Sequence, residues 1–289
     1  MIWFVLRKLL ALVAIVLLTA AIAWWSLAGL PDAGAKADFF SWLGHLLVGN
    51  FGIAATGEAV GPALASRLAV TVPLALLAIL LTTVVGFGLG WLAALRPGAI
   101  GDRLLMGLSD LGIATPNFWL GMMLALAFAG GLHWLPPGGF VPWQDSVVAA
   151  LASLILPALA LAASTAAALA LAVRSALVDA ADAPAVLGAQ ARGATRREAV
   201  RRSRLPALLP LGRTLSRQFA AVIGGTVIVE NVFYLPGLGR MILDAVTARD
   251  LATVRAGLVV LVLLIAGTLS LTQIAFGWLD PRRRGEVAE

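Results

Sequence analysis

The sequence predicts an all-α, polytopic membrane protein: six transmembrane helices with both termini cytoplasmic, a helical cytoplasmic loop and a short outer interfacial helix. Three observations carry that prediction. Of 289 residues, 61% are hydrophobic and 12% charged, and the mean hydropathy is +0.96. Soluble domains average about 25% charged residues, so a soluble fold of this size has nowhere to bury so much apolar surface. Six apolar stretches reach or approach the roughly 20 residues that a helix needs to cross a bilayer. The basic residues gather in alternate loops, as they do where Lys and Arg mark the cytoplasmic side.

The spans fall at about 9–30, 68–95, 104–131, 147–173, 211–233 and 256–279. The first follows Arg7 and Lys8 and shares with signal peptides a basic start and a small-residue AIA at 21–23. Its apolar run exceeds the about 7–15 residues usual there, so it reads as a retained span. Arg7, Lys8, Arg96, Arg103, nine arginines from Arg174 to Arg217, and Arg282, Arg283 and Arg284 share one side, 16 of the 21 basic residues. Lys36, Arg67, Arg240, Arg249 and Arg255 take the other. The chain then divides into 1–67, the first span and a short outer segment, 68–284, a five-helix core, and 285–289, a cytoplasmic tail. Glycine-bearing VGNFG and GEAVG mark loops in the outer segment.

The cytoplasmic loop, about 174–212, is the least lipid-like part. Ala185 to Arg192 suit a short helix, Gly193 suits a left-handed helix stop, and Thr195 to Arg204 suit a second helix ahead of Pro206 and Pro210. A helix, a glycine turn and a helix form a knob. Arg192, Arg196 and Arg197 on it can bind a cytosolic partner through charge-assisted contacts, or simply fix topology against anionic lipid.

Ionisable groups inside spans are costly and are functional candidates. Only Asp110 and Glu230 qualify, both in the outer thirds of their helices. Asp110 leads into GIATPNFWLG, where Pro116, followed by Asn117, kinks the third span. A kink of that kind either lines a pathway or is an ordinary proline bend. The Ala-rich run around Pro157 favours close helix packing. His45 and His133 are far apart and make no metal site, and no cysteine exists to hold metal, form disulfides or attack a substrate. Neither HExxH, GxSxG nor GxxxxGK[ST] occurs, so a transport subunit without ATPase or hydrolase chemistry of its own is expected, with its energy supplied by a partner or an ion gradient. Nucleic acid is not implied by the +6 net charge, because the arginines flank spans.

Before the last span stands ENVFYLPGLGR, residues 230–240. Leu238, Met241, Ile242, Ala245 and Val246 make an apolar stripe at helical spacing, so residues from about 237 to 250 predict an amphipathic helix at the outer interface, either a gate or an anchor.

These residues resemble a known family. GGTVIVENVFYLPGLGRMILDAVTARD is similar to the segment between the fifth and sixth spans of the dipeptide, oligopeptide and nickel permeases of ATP-binding-cassette importers. AQARG at 189–193 followed by Leu205 and Pro206 resembles their coupling loop, and GNFG, TPNFWLG, LHWLP and the terminal LDPRRR match further. The resemblance spans about 49–284. It implies a permease importing peptides, with nickel, metal chelates or another small solute as the alternative cargo. A second similar permease, two cytosolic ATPases that hydrolyse ATP with magnesium, and an extracytoplasmic binding protein would be its partners. It further implies that Ala189, Ala191, Arg192 and Gly193 seat in an ATPase groove, and that Glu230, Pro236, Gly237, Gly239 and Arg240 form an outer-loop signature. Pro184 and Leu187 depart from the acidic residues of the pattern, and the segment between the first two spans is short. A proton-coupled transporter working through Asp110 and Glu230 is the rival expectation.

Overall fold

A computed structural model describes residues 2–28 and 39–279. Lys36, Arg282, Arg283, Arg284 and the tail at 285–289 lie outside the described residues. Helices in chain order are α1 (Ile2–Ala28), α2 (Phe39–Leu47), α3 (Val60–Leu95), α4 (Ile100–Ala114), α5 (Asn117–Leu124), α6 (Val147–Ala181), α7 (Pro184–Ala191), α8 (Arg196–Leu208), α9 (Gly212–Val232), α10 (Leu238–Thr247) and α11 (Leu251–Leu279). The chain is thus an all-α polytopic membrane protein. Four helices, α1, α3, α6 and α11, are long and apolar enough to cross a bilayer alone. At 21 residues α9 is long enough but more polar, carrying Arg213, Arg217 and Glu230.

The predicted third span is where the structure departs most from expectation. Instead of a kink, α4 and the following helical stretch to Gly131 meet at 105°. Pro116 has no amide hydrogen to give and caps α5 in an extended conformation, so the helix stops and restarts. α5 then runs into a π-helical stretch, Ala125–Gly131. Pro206 gives the opposite correction: α8 continues through it to Leu208. α2 falls in the outer segment where only loop signals were legible.

α3 and α6 form the centre. They approach closely because Gly86 faces the Ala166 carbonyl and Leu169, and Gly90 faces the Ala170 carbonyl and Val173, where a β-carbon would collide. Alanines line the α6 face, with Ala150, Ala158, Ala160, Ala166 and Ala170 all buried. Thr82 and Thr165 hydrogen-bond across the pair at 2.7 Å, which satisfies both hydroxyls internally. Around this pair Leu74, Leu154, Leu156, Leu161, Val222 and Phe233 pack the main core. α1 lies outside it, along α11, with Leu10, Leu18, Ile22 and Trp25 exposed. That outward apolar face suits lipid.

α6 has 35 residues, about 50 Å at 1.5 Å each, well beyond an apolar thickness of about 30 Å. Its arginine-bearing end therefore projects past the spans and holds α7. There Arg174 meets Asp102 side-on, with Nε at 2.6 Å from Oδ1 and Nη2 at 2.6 Å from Oδ2. The Gly98 amide donates to Asp102 at 2.7 Å, so one carboxylate joins the α3–α4 turn, α4 and α6.

Candidate functional site

Two constructions occupy opposite ends of the bundle. At the arginine-bearing end, α7 and α8 make the knob. The α7 helix ends at Gly193, whose φ of +92° is left-handed and whose amide donates to the Gln190 carbonyl at 2.9 Å. α8 opens with a capping box: the Glu198 amide donates to the Thr195 hydroxyl, and the Thr195 amide donates to the Glu198 carboxylate at 3.2 Å. The Thr195 hydroxyl bond holds the Glu198 carboxyl below its usual range, so the cap is complete at neutral pH and is lost as pH falls through that lowered value. Val186 and Ala199 are buried where the helices meet, while Ser203 donates to the Ala180 carbonyl at 3.1 Å and Arg204 lies over Trp91, 5.2 Å from its ring centre. These contacts fix the knob to α6 and α3. Ala191, Arg192, Gly193, Arg196, Arg197 and Pro206 are exposed, and Ala189 is half-buried. Leu205 sits on α8 next to Pro206.

At the other end, Glu230 explains why a polar stretch interrupts the apolar chain. It lies in the last turn of α9 and is fully buried. Its Oε1 accepts from the Thr71 hydroxyl at 2.6 Å, and its Oε2 accepts from the amides of Gly239 at 2.7 Å and Arg240 at 3.2 Å. Thr71 in turn accepts from the Leu238 amide at 2.8 Å. The first amides of a helix have no partner inside it. Here all three from α10 are met by one carboxylate and one hydroxyl brought from α9 and α3. A negative group at a helix N-terminus is also favoured by the helix dipole. Glu230 is therefore a capping group supplied from a neighbouring helix.

The surrounding residues make that cap possible. α9 ends in a turn that returns the Leu235 amide to the Glu230 carbonyl at 2.8 Å, with Tyr234 at a left-handed φ of 54°. Arg240 lies over the Tyr234 ring at 5.2 Å and reaches Asp244 at 3.8 Å. Pro236 is half-buried beside Gly237. A β-carbon on Gly237 would fall on the Glu230 carboxylate, and one on Gly239 would fall on Val227. Both glycines are required for space, since neither has a left-handed φ. Gly237→Ala is expected to destabilise by about 1–3 kcal/mol, the usual cost of overpacking. In the Glu230→Ala background the cost should shrink, because the obstructing group is gone; equal costs in both backgrounds, measured by thermal unfolding, would refute the fit.

The apolar stripe of α10 faces protein more than lipid. Leu238, Met241 and Ile242 pack with Val60, Leu64, Ala256 and Val260 of α3 and α11, Ala245 is buried too, and Val246 is exposed. Burial against two helices replaces a purely interfacial setting. Asp110 is exposed on α4 and shares no hydrogen bond or ion pair with Glu230. Asn117, just past the break, accepts from the Ser164 hydroxyl at 2.8 Å and thereby ties α5 to α6. The structure thus gathers Glu230, Pro236, Gly237, Gly239 and Arg240 in one cluster and Arg192, Gly193, Arg196 and Arg197 in another. Asp110, Pro116 and Asn117 remain separate from both. The residues missed by sequence reasoning are Thr71, Asp102 and Arg174. Asp102 carried a signal, an acidic residue in the first turn of a helix after Pro97 and Gly98.

The profile of the binding-protein-dependent transport system inner membrane component family matches residues 86–285. The chain belongs to that family. It is 35% identical to a peptide transport system permease protein of Brucella abortus, over 78% of this chain and 73% of the relative. It is 32% identical to an oligopeptide transport system permease protein of Bacillus subtilis, over 85% and 79%. A glutathione transport system permease protein of Salmonella paratyphi A is 31% identical, over 88% and 89%. This permease is of the peptide ABC importer kind, a multi-pass inner membrane protein.

Proposed function

We propose that this permease forms half of a translocation pathway for di- and oligopeptides. A second, homologous permease supplies the other half, an extracytoplasmic binding protein delivers the peptide, and two cytosolic ATPases drive the cycle. The peptide reading rests on one observation, the peptide transport permeases that match about four-fifths of the chain. The knob supports the ATPase reading, because α8 is tied to α6 and α3 and packs on α7, while Arg192, Arg196 and Arg197 stay exposed. ATP binding would close the ATPase pair and push α7, and α6 would carry the movement into the spans. Such coupling needs an assembly with two discrete arrangements rather than a flexible one. With the knob on the cytoplasmic side, as the arginines require, the α10 cluster belongs to the outer mouth.

A proton-coupled reading loses support because Glu230, one of its two carboxylates, is committed to backbone amides. Reconstitution decides between them. Uptake of labelled dipeptide into liposomes is expected only with both permeases, the ATPases, the binding protein and ATP. Uptake by this chain alone under a pH gradient would overturn the importer reading, and a metal chelate copurifying with the binding protein would overturn the peptide one.

A further inference from the structure

One buried charge has no counterpart among the described residues. Arg255, in the second turn of α11, is 6% exposed, and its guanidinium lies over the Trp24 ring of α1 at 4.4 Å. Its Nε and Nη2 are enclosed and have no acceptor among the described residues. Those two nitrogens form one edge of the guanidinium, the edge that Arg174 presents to both oxygens of Asp102. An edge of that shape accepts two oxygens of one carboxylate or phosphate. A buried cation left unmatched is costly, and stacking on one indole offsets only part of the cost.

The setting selects the ligand. Trp24 packs against Trp42 at 5.4 Å and against Phe39 at 6.2 Å, so the ring under the cation is itself held by rings of α2. Trp25 and Phe40 beside them are 71% and 75% exposed. Trp24 and Trp25 at the end of a span, with Trp42 beside them, mark the depth of lipid head groups. α1 packs mainly on α11 and has no comparable packing on α4 or α5, so Trp24 and Arg255 sit at the α1–α11 seam rather than at the break in the third span. We propose that Arg255 and Trp24 form a binding site for the phosphate of an acidic phospholipid in the leaflet on the α10 side. The lipid would brace α1, the least enclosed span, against α11.

The test uses the full-length chain purified in neutral detergent and stripped of lipid. Phosphatidylglycerol, a neutral glycolipid without phosphate, and inorganic phosphate serve as probes, with thermal unfolding and bound phosphorus per chain as readouts. Phosphatidylglycerol should raise the unfolding temperature of the parent chain by roughly 3 °C or more and bind it near one to one, while the glycolipid and inorganic phosphate should not. Arg255→Gln should abolish the response and Arg255→Lys should retain part of it. Trp24→Leu, which leaves the cation in place, should weaken it, so a poorly folding Arg255→Gln protein would not end the test. An equal shift with inorganic phosphate would replace the lipid by a free anion. An unchanged response in Arg255→Gln, or none in the parent chain, would overturn the site.

Discussion

Glu230→Ala is expected to destabilise the protein by about 3–5 kcal/mol and to abolish peptide uptake. The magnitude follows from what is orphaned. Two amides, the buried one of Gly239 and the half-buried one of Arg240, lose their acceptor, and the Thr71 hydroxyl loses its own. Each unsatisfied buried group costs about 1–3 kcal/mol, and water entering the vacated space recovers part of that. Glu230→Gln should cost less, about 1–2 kcal/mol, because an amide oxygen can still face the two backbone donors while its NH2 turns to Thr71. Glu230→Asp should behave nearer to alanine, since the chain is one methylene too short to reach α10. Hydrogen exchange supplies the decisive reading. The amides of Gly239 and Arg240 should lose protection in Glu230→Ala while amides in the α3–α6 centre keep theirs. Unchanged protection at both amides would mean that the cap is not what holds α10.

Some of this was legible in the sequence because it is periodic or additive. The positions of α1, α3, α6 and α11 follow from apolar runs, and the Gly193 stop follows from a residue type suited to a left-handed turn. What stayed hidden depends on partners distant in the chain. Glu230 looked like a candidate for chemistry because a carboxylate near a span has few structural excuses when read alone. Its excuse is Thr71, 159 positions away, and the first turn of α10. Asp110 drew attention for the same reason, while Asp102 took the ion pair. Arg174 is 72 positions from Asp102, and nothing local distinguishes it from the topological arginines around it. Pro116 and Pro206 show the same limit from the other side. Both residues forbid one backbone hydrogen bond, yet one ends a helix and the other is carried through it, because packing decides whether the missing bond can be tolerated.

Gly193→Pro should abolish uptake while leaving the chain folded in the membrane. Proline fixes φ near −65° and removes the amide hydrogen, whereas Gly193 has φ of +92° and donates to Gln190. Both requirements fail together, so the α7–α8 turn must open. The damage stays local, because Gly193 is exposed and a β-carbon there would meet nothing within 4 Å. Gly193→Ala separates conformation from space: it adds no clash and pays only the left-handed penalty, about 1 kcal/mol, so uptake should fall partially. Copurification of the ATPases and their hydrolysis rate provide the second readout. If α7 and α8 transmit closure as proposed, Gly193→Pro should separate ATP hydrolysis from transport or lose the ATPases altogether, with a thermal transition close to that of the parent chain. Normal uptake by Gly193→Pro would remove the knob from the coupling path. Loss of uptake together with a collapsed thermal transition would instead make the turn part of the fold that α6 needs. The ratio of the proline effect to the alanine effect then tells whether the turn acts through its angle or merely through its presence.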